Sequence, residues 1–155
     1  MKDHFTQLLQ YNHWANSCIF HSVANFRDPK PAANRLLGHI LAAQQIWYAR
    51  LRGEGTSVAV WPELSLKAIK TWMNLQHSDW EAYLTSLQDK DLEQDVTYTT
   101  TTGEVYQNSR SEIITHVLHH GTHHRAQISA IIRATGDTPP TIDYIVFLRN
   151  LQKAP

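Results

Sequence analysis

The sequence predicts an all-α fold: a four-helix bundle with a long crossover between the third and fourth helices and a short C-terminal helix. Three observations lead there. Four long segments carry apolar residues at three- and four-residue spacing. Proline and glycine mark the breaks between them. One stretch alone, between the third and fourth segments, is rich in β-branched and aromatic residues and has no helical period.

Each element follows from its own signals. Asp3 to Val23 reads as the first helix, with Phe5, Leu8, Leu9, Asn12, Ala15, Ile19 and Val23 in register and Asp3 as the expected N-cap. Phe26-Arg27-Asp28-Pro29-Lys30-Pro31 breaks it, because proline and the residue before it resist helix. The second helix runs from about Ala32 to Arg52 on Leu36, Ile40, Ala43, Trp47 and Leu51, and Gly53-Glu54-Gly55 stops it. Ser65 caps a third helix reaching about Gln88, with Leu66, Ile69, Met73, Trp80, Tyr83 and Leu87 on one side. From Asp95 to Asn108 a short hairpin or extended crossover is expected, turning near Thr102-Gly103. Ser109 and Glu112 form a capping box that opens the fourth helix. It ends near Thr135 at Gly136-Asp137-Thr138-Pro139-Pro140. Ile142 to Leu151 is a last short helix, expected to set Ile145, Phe147 and Leu148 against the bundle. No repeat or linker interrupts this, so 1–155 is expected to form a single domain.

Composition narrows the function. Lysine plus arginine equals aspartate plus glutamate at 14 each. That balance argues against a broad electrostatic footprint for nucleic acid or an acidic membrane. The lone Cys18 cannot form an internal disulfide and suits a reducing compartment. No signal segment and no apolar run near the ~20 residues of a membrane helix is evident. A soluble, cytoplasmic protein is expected.

Histidine is the anomaly. Five of the ten histidines, His116, His119, His120, His123 and His124, crowd one stretch of the fourth helix. At ~100° per residue, with His120 at zero, Ile113 and Ile131 fall near ~20°, His124 near ~40°, Val117 near ~60° and Ile128 near ~80°. His120 and His124 therefore lie in the apolar stripe, one turn apart and side by side. His116, His119 and His123 fall at or beyond its margin and read as solvated or supporting residues. Two unpaired imidazoles in an apolar stripe would cost ~1–3 kcal/mol each, which a bound metal removes. A third ligand must come from elsewhere. His39, close in angle to small Ala43 on the second helix, is the best placed, with His13 the strongest rival and His4, His21 and His77 also competing. A single helical histidine is more often a hydrogen-bonded core group than a ligand, so placement only suggests His39. Gln127, one turn past His124, could orient a ligand ring, bind a substrate or simply be solvated. Arg125, at the opposite margin of the stripe, is expected to snorkel or pair with a carboxylate. Trp14, Trp47, Trp72 and Trp80 sit on helical periods and read as core, whereas Trp61 lies in a loop.

These motifs together resemble the DinB-like family of helical metalloproteins. His119-His120-Gly121-Thr122-His123-His124-Arg125-Ala126-Gln127 is similar to that family's H-x-x-x-H-R-x-Q signature. Tyr11-Asn12-His13-Trp14-Ala15-Asn16 resembles its first-helix motif, and Leu37-Gly38-His39-Ile40 with Trp47 and Leu51-Arg52-Gly53-Glu54 its second helix. Pro139-Pro140 through Asp143, then Phe147-Leu148-Arg149, resembles its C-terminal end. The resemblance implies a four-helix bundle, often a homodimer, and a metal held by His39, His120 and His124. Some relatives transfer low-molecular-weight thiols or isomerise thiol-linked substrates. Relatives often carry an acidic residue just after the second-helix histidine, where this chain has Gln44 and Gln45, so no carboxylate ligand or base is assigned.

The expected cofactor is one divalent transition metal ion, zinc or nickel ahead of iron or manganese. Three imidazoles with open positions match catalytic metal sites, whereas structural sites are closed by four ligands. The expected function is a metal-dependent thiol S-transferase or hydrolase acting on a small molecule, a low-molecular-weight thiol in the first case. The alternative is a non-catalytic bundle stapled by its metal, acting in binding or stress response. Cys18 is not expected to be the nucleophile, since nothing around it lowers a thiol pKa.

Overall fold

The computed structural model describes residues 1–26 and 30–153. Its helices are α1 (Lys2–Ala24), α2 (Pro31–Leu51), α3 (Leu66–Ser86), α4 (Arg110–Ala134) and α5 (Tyr144–Lys153). A 3-10 turn (Asp89–Glu93) and an antiparallel hairpin, β1 (Asp95–Thr99) and β2 (Val105–Ser109), join α3 to α4. The all-α bundle with its long α3–α4 crossover is as expected. The break between α1 and α2 falls partly on 27–29, outside the described residues.

Several terminators act as the residue types dictate. Gly53, Gly103 and Gly136 all take positive φ, of 70°, 89° and 86°. A Cβ resists that conformation, so glycine ends α2, turns the hairpin and ends α4. The Ser65 hydroxyl accepts from Ala68 N at 3.2 Å. The first cap differs from expectation. Asp3 lies inside α1, and Asp89, which opens the 3-10 turn just past α3, accepts from Lys2 N at 2.9 Å. That cap is tertiary, so no local pattern announces it.

The capping box of α4 is complete: the Ser109 hydroxyl accepts from Glu112 N at 3.2 Å, and Glu112 Oε2 accepts from Ser109 N at 2.9 Å. Replacing Ser109 with alanine is expected to cost about 1 kcal/mol of unfolding free energy. Urea denaturation measures it, and a loss below ~0.3 kcal/mol would show the cap to be dispensable.

Two apolar clusters fill the bundle. One joins Phe5 and Leu9 of α1, Tyr48 and Leu51 of α2, Trp80 and Leu84 of α3, and Ile113, Ile114, Val117 and Leu118 of α4. The other joins Ile19, Phe20 and Val23 of α1, Ala33, Leu37, Ile40 and Leu41 of α2, Ile69 and Met73 of α3, and Ile128 and Ile132 of α4. The start of α1 and of α4 thus meets the end of α2 and of α3. So α1 and α4 run one way and α2 and α3 the other. Neighbouring pairs are α1–α3, α1–α4, α2–α3 and α2–α4. Because α2 and α3 are parallel neighbours, the loop between them must run back along the bundle. The α3–α4 connection instead crosses one end diagonally.

Between the clusters lies a buried polar layer with one or more members on each long helix: Asn12 and Asn16, Gln44, Gln76, and Arg125. Arg125 is 1% exposed and donates to Asn12 Oδ1 at 2.6 Å, Asn16 Oδ1 at 2.8 Å and Thr122 Oγ1 at 2.9 Å. It neither snorkels nor pairs with a carboxylate, contrary to expectation. Gly121 makes the space: a Cβ there would stand 2.9 Å from both Arg125 Nη1 and Asn12 Oδ1.

α5 packs through Phe147, while Ile145, expected inside, is 53% exposed. Tyr144 and Phe147 lie against Tyr11 of α1, with ring centroids 5.1 and 5.9 Å away.

Candidate metal centre

α4 turns a different face inward than its apolar residues alone suggest. Measured from His120, its buried residues run from Ile113 near ~20° through Gly121 near ~100° and Arg125 near ~140° to Ser129 near ~180°. At mid-helix the centre of that arc is taken by Gly121 and Arg125, where Asn12 and Asn16 face them. His120 and His124 are therefore half-buried at its margin rather than deep in the stripe, and His116, His119 and His123 are exposed.

That margin faces α2. His39, 7% exposed, projects from α2 toward the pair. Its Nε2 is 3.1 Å from His120 Nε2, and His124 Nε2 is 3.2 Å from the same atom. One ring nitrogen from each of the three lies within 4.8 Å of the others. The expected trio is brought together. The rivals are not: His13 stacks on His77 at 4.0 Å, and His4 and His21 are exposed.

The outer nitrogens fix the tautomers. His39 Nδ1 donates to Val60 O at 2.7 Å, and His124 Nδ1 to Gln127 Oε1 at 2.7 Å. Carbonyl oxygens only accept, so both protons sit on Nδ1 and both Nε2 lone pairs point inward. Gln127 thus acts as the orienting residue among the roles open to it. An ion ~2.0–2.1 Å from each nitrogen in tetrahedral geometry spaces its ligand atoms about 3.3 Å apart. The two separations to His120 fit such an ion, and the neutral donor set suits a borderline transition metal.

The α2–α3 loop completes the site. Gly38, next to His39, lets it close on α2, since a Cβ there would stand 3.2 Å from Pro62 O. The loop delivers the Val60 carbonyl and lays the Trp61 indole flat on the His39 ring, 3.7 Å between centroids and 9° between planes. Arg35 lies over the same indole at 5.1 Å. Trp61 is 44% exposed, and sequence reasoning assigned it no role. Its only local signal is a tryptophan in a loop where burial gives it no reason to be. Gln44, by contrast, turns into the polar layer and away from the trio. Cys18 is half-buried, and desolvation raises its thiol pKa, which disfavours the thiolate.

Burial lowers the pKa of His39, of His13 and, to about 4, of His120, where repulsion from His124 and His39 adds to desolvation. Each folded value lies below the ordinary 6.5, so the unfolded chain binds protons first as pH falls. The metal-free protein is thus expected to hold full stability above about pH 6.5 and to lose it progressively toward pH 4. Thermal denaturation of chelator-treated protein checks this, and a midpoint that is flat or rising toward acid contradicts it.

The fold and site define a class: a helical bundle whose second and fourth helices present a three-histidine cluster that could hold a metal ion. Residues 1–153 match the DinB family, and the chain belongs to it. It is similar to Protein DinB of Bacillus subtilis (strain 168), 26% identical over 174 aligned positions spanning 99% of this chain and 100% of that protein. No helix among the described residues is long and apolar enough to cross a membrane.

Proposed function

We propose that the chain is a metal-dependent enzyme of the thiol S-transferase or hydrolase type, with one divalent ion held by His39, His120 and His124. The convergence of the Nε2 atoms of these residues carries this reading. Val60 and Gln127 hold two of the rings in the tautomer a ligand requires.

A bound ion would supply Lewis acidity, lowering the pKa of a thiol or water beside it. His39 closes the inner side of the site, and Trp61 walls one flank. His120 and His124 keep partial exposure, which leaves a side for a small molecule to approach. That openness favours catalysis over a structural staple. In the preferred chemistry a low-molecular-weight thiol loses its proton to solvent water, and its sulfur bonds to an electrophilic carbon. The leaving group departs with the bonding pair. Zinc and nickel are the favoured ions, and the homodimer implied by the family resemblance belongs to the same proposal.

Elemental analysis of tag-free protein prepared without chelator or a nickel column, followed by thiol-conjugation and ester-hydrolysis assays on the metal-loaded form, tests it. One ion per chain and turnover abolished by His39→Ala are expected. Full loading without turnover, together with a large loss of melting temperature on chelation, would replace the enzyme with the metal-stapled bundle. Failure to load zinc, nickel, iron or manganese would overturn both.

A further inference from the structure

We propose that the polar layer binds a single buried water molecule, held by Gln44, Gln76 and Trp80 and tying α2 to α3. These residues take no part in the histidine site, so the inference stands apart from the proposed activity.

Five buried side-chain atoms among the described residues have no hydrogen-bond partner from the protein, Asn34 Oδ1 and Arg125 Nε among them; the other three are Gln44 Nε2, Gln76 Oε1 and Trp80 Nε1. All three residues line one small cavity, shared with Asn12, Asn16 and the stacked His13–His77 pair. The space open to the centre of a water molecule is ≈ 10 Å³. A buried water needs on the order of 10–15 Å³, so the cavity has room for one. Unpaired polar atoms at such depth are rare in native proteins, and three around one cavity call for a shared partner.

The donors and acceptors select that partner. Gln76 Nε2 already donates to Leu41 O at 2.9 Å, which leaves Oε1 as the acceptor facing the cavity. Trp80 Nε1 can only donate, and Gln44 presents its amide nitrogen. The occupant must accept two hydrogen bonds and donate one. Its other O–H is left for the carbonyl of Asn12 or Asn16, each of which accepts one bond from Arg125 and has a lone pair free. Water meets all four demands. A halide would answer the buried Arg125 charge but would face Gln76 Oε1 without a proton to offer. An ammonium ion would meet two N–H donors head-on.

The test is a crystal structure of the full chain at a resolution that shows ordered solvent, with a second crystal soaked in bromide. One full-occupancy peak within hydrogen-bond distance of Gln44, Gln76 and Trp80, without anomalous bromide signal, is expected. In solution, the Trp80 indole N–H should show a cross-peak to long-lived water, lost in Gln44→Leu while the circular dichroism spectrum is retained. Three side chains bonded to one another with no peak between them, a bromide peak at the site, or a Trp80 cross-peak unchanged in Gln44→Leu would each overturn the inference.

Discussion

Replacing His120 with alanine is expected to abolish stoichiometric metal binding. His120 Nε2 is the central atom of the trio, 3.1 Å from His39 and 3.2 Å from His124, so its loss leaves two nitrogens with nothing between them. Four-ligand zinc sites in small domains bind with about 10–16 kcal/mol, or roughly 3 kcal/mol per ligand. Losing one ligand should therefore weaken binding by more than about 100-fold. His119→Ala is the matched control, since His119 is exposed on the same helix. Elemental analysis reads both: near zero for His120→Ala and near one for His119→Ala. A His120→Ala protein that still carries one tightly held ion would remove the trio as the site. The melting temperature gives a second reading, because an ion that binds only the folded state raises it. The wild-type protein should lose that increment on chelation, and His120→Ala should have none to lose.

Arg125→Ala is expected to destabilise the fold by about 2–4 kcal/mol, because each asparagine carbonyl loses its charged donor and the side chain leaves its space behind. Asn12 and Asn16 are 4% and 2% exposed, so water cannot readily replace the guanidinium. Arg125→Lys should recover little, because an ammonium lacks the planar fork that reaches both carbonyls and Thr122. The instructive comparison is the triple change Arg125→Met, Asn12→Leu, Asn16→Leu. Removing the buried charge and both asparagines together leaves the exposed Thr122 as its one remaining partner and costs the proposed water one acceptor, so this variant should lie close to the wild type in stability. Chemical denaturation of the three proteins decides. If Arg125→Ala costs under ~1 kcal/mol, the layer is not holding the bundle together. If the triple variant is the least stable, the layer contributes net stability beyond the pairing of its own polar groups. Arg125 directly follows His124, so the layer also sets the angle at which α4 presents its ligand pair.

Periodicity, terminators and the histidine spacing were enough, from the sequence alone, to place four helices, the hairpin turn at Gly103, the Ser65 and Ser109 caps and the pair His120 and His124. These are local properties: a turn of helix, a positive φ and a capping hydroxyl depend on neighbours a few residues away. His39 was legible by placement and by family resemblance together, since no spacing links it to α4. What only the tertiary structure decided involves partners far apart in the chain. Asp89 caps α1 in place of Asp3 because the chain reverses at one end of the bundle. Arg125 is central instead of marginal because the asparagines of α1 receive its charge, and a wheel that counts only apolar residues cannot see a polar group satisfied by another helix. Trp61 and the Val60 carbonyl reach His39 because α2 and α3 are parallel, which sends the loop between them back along the bundle and over the site.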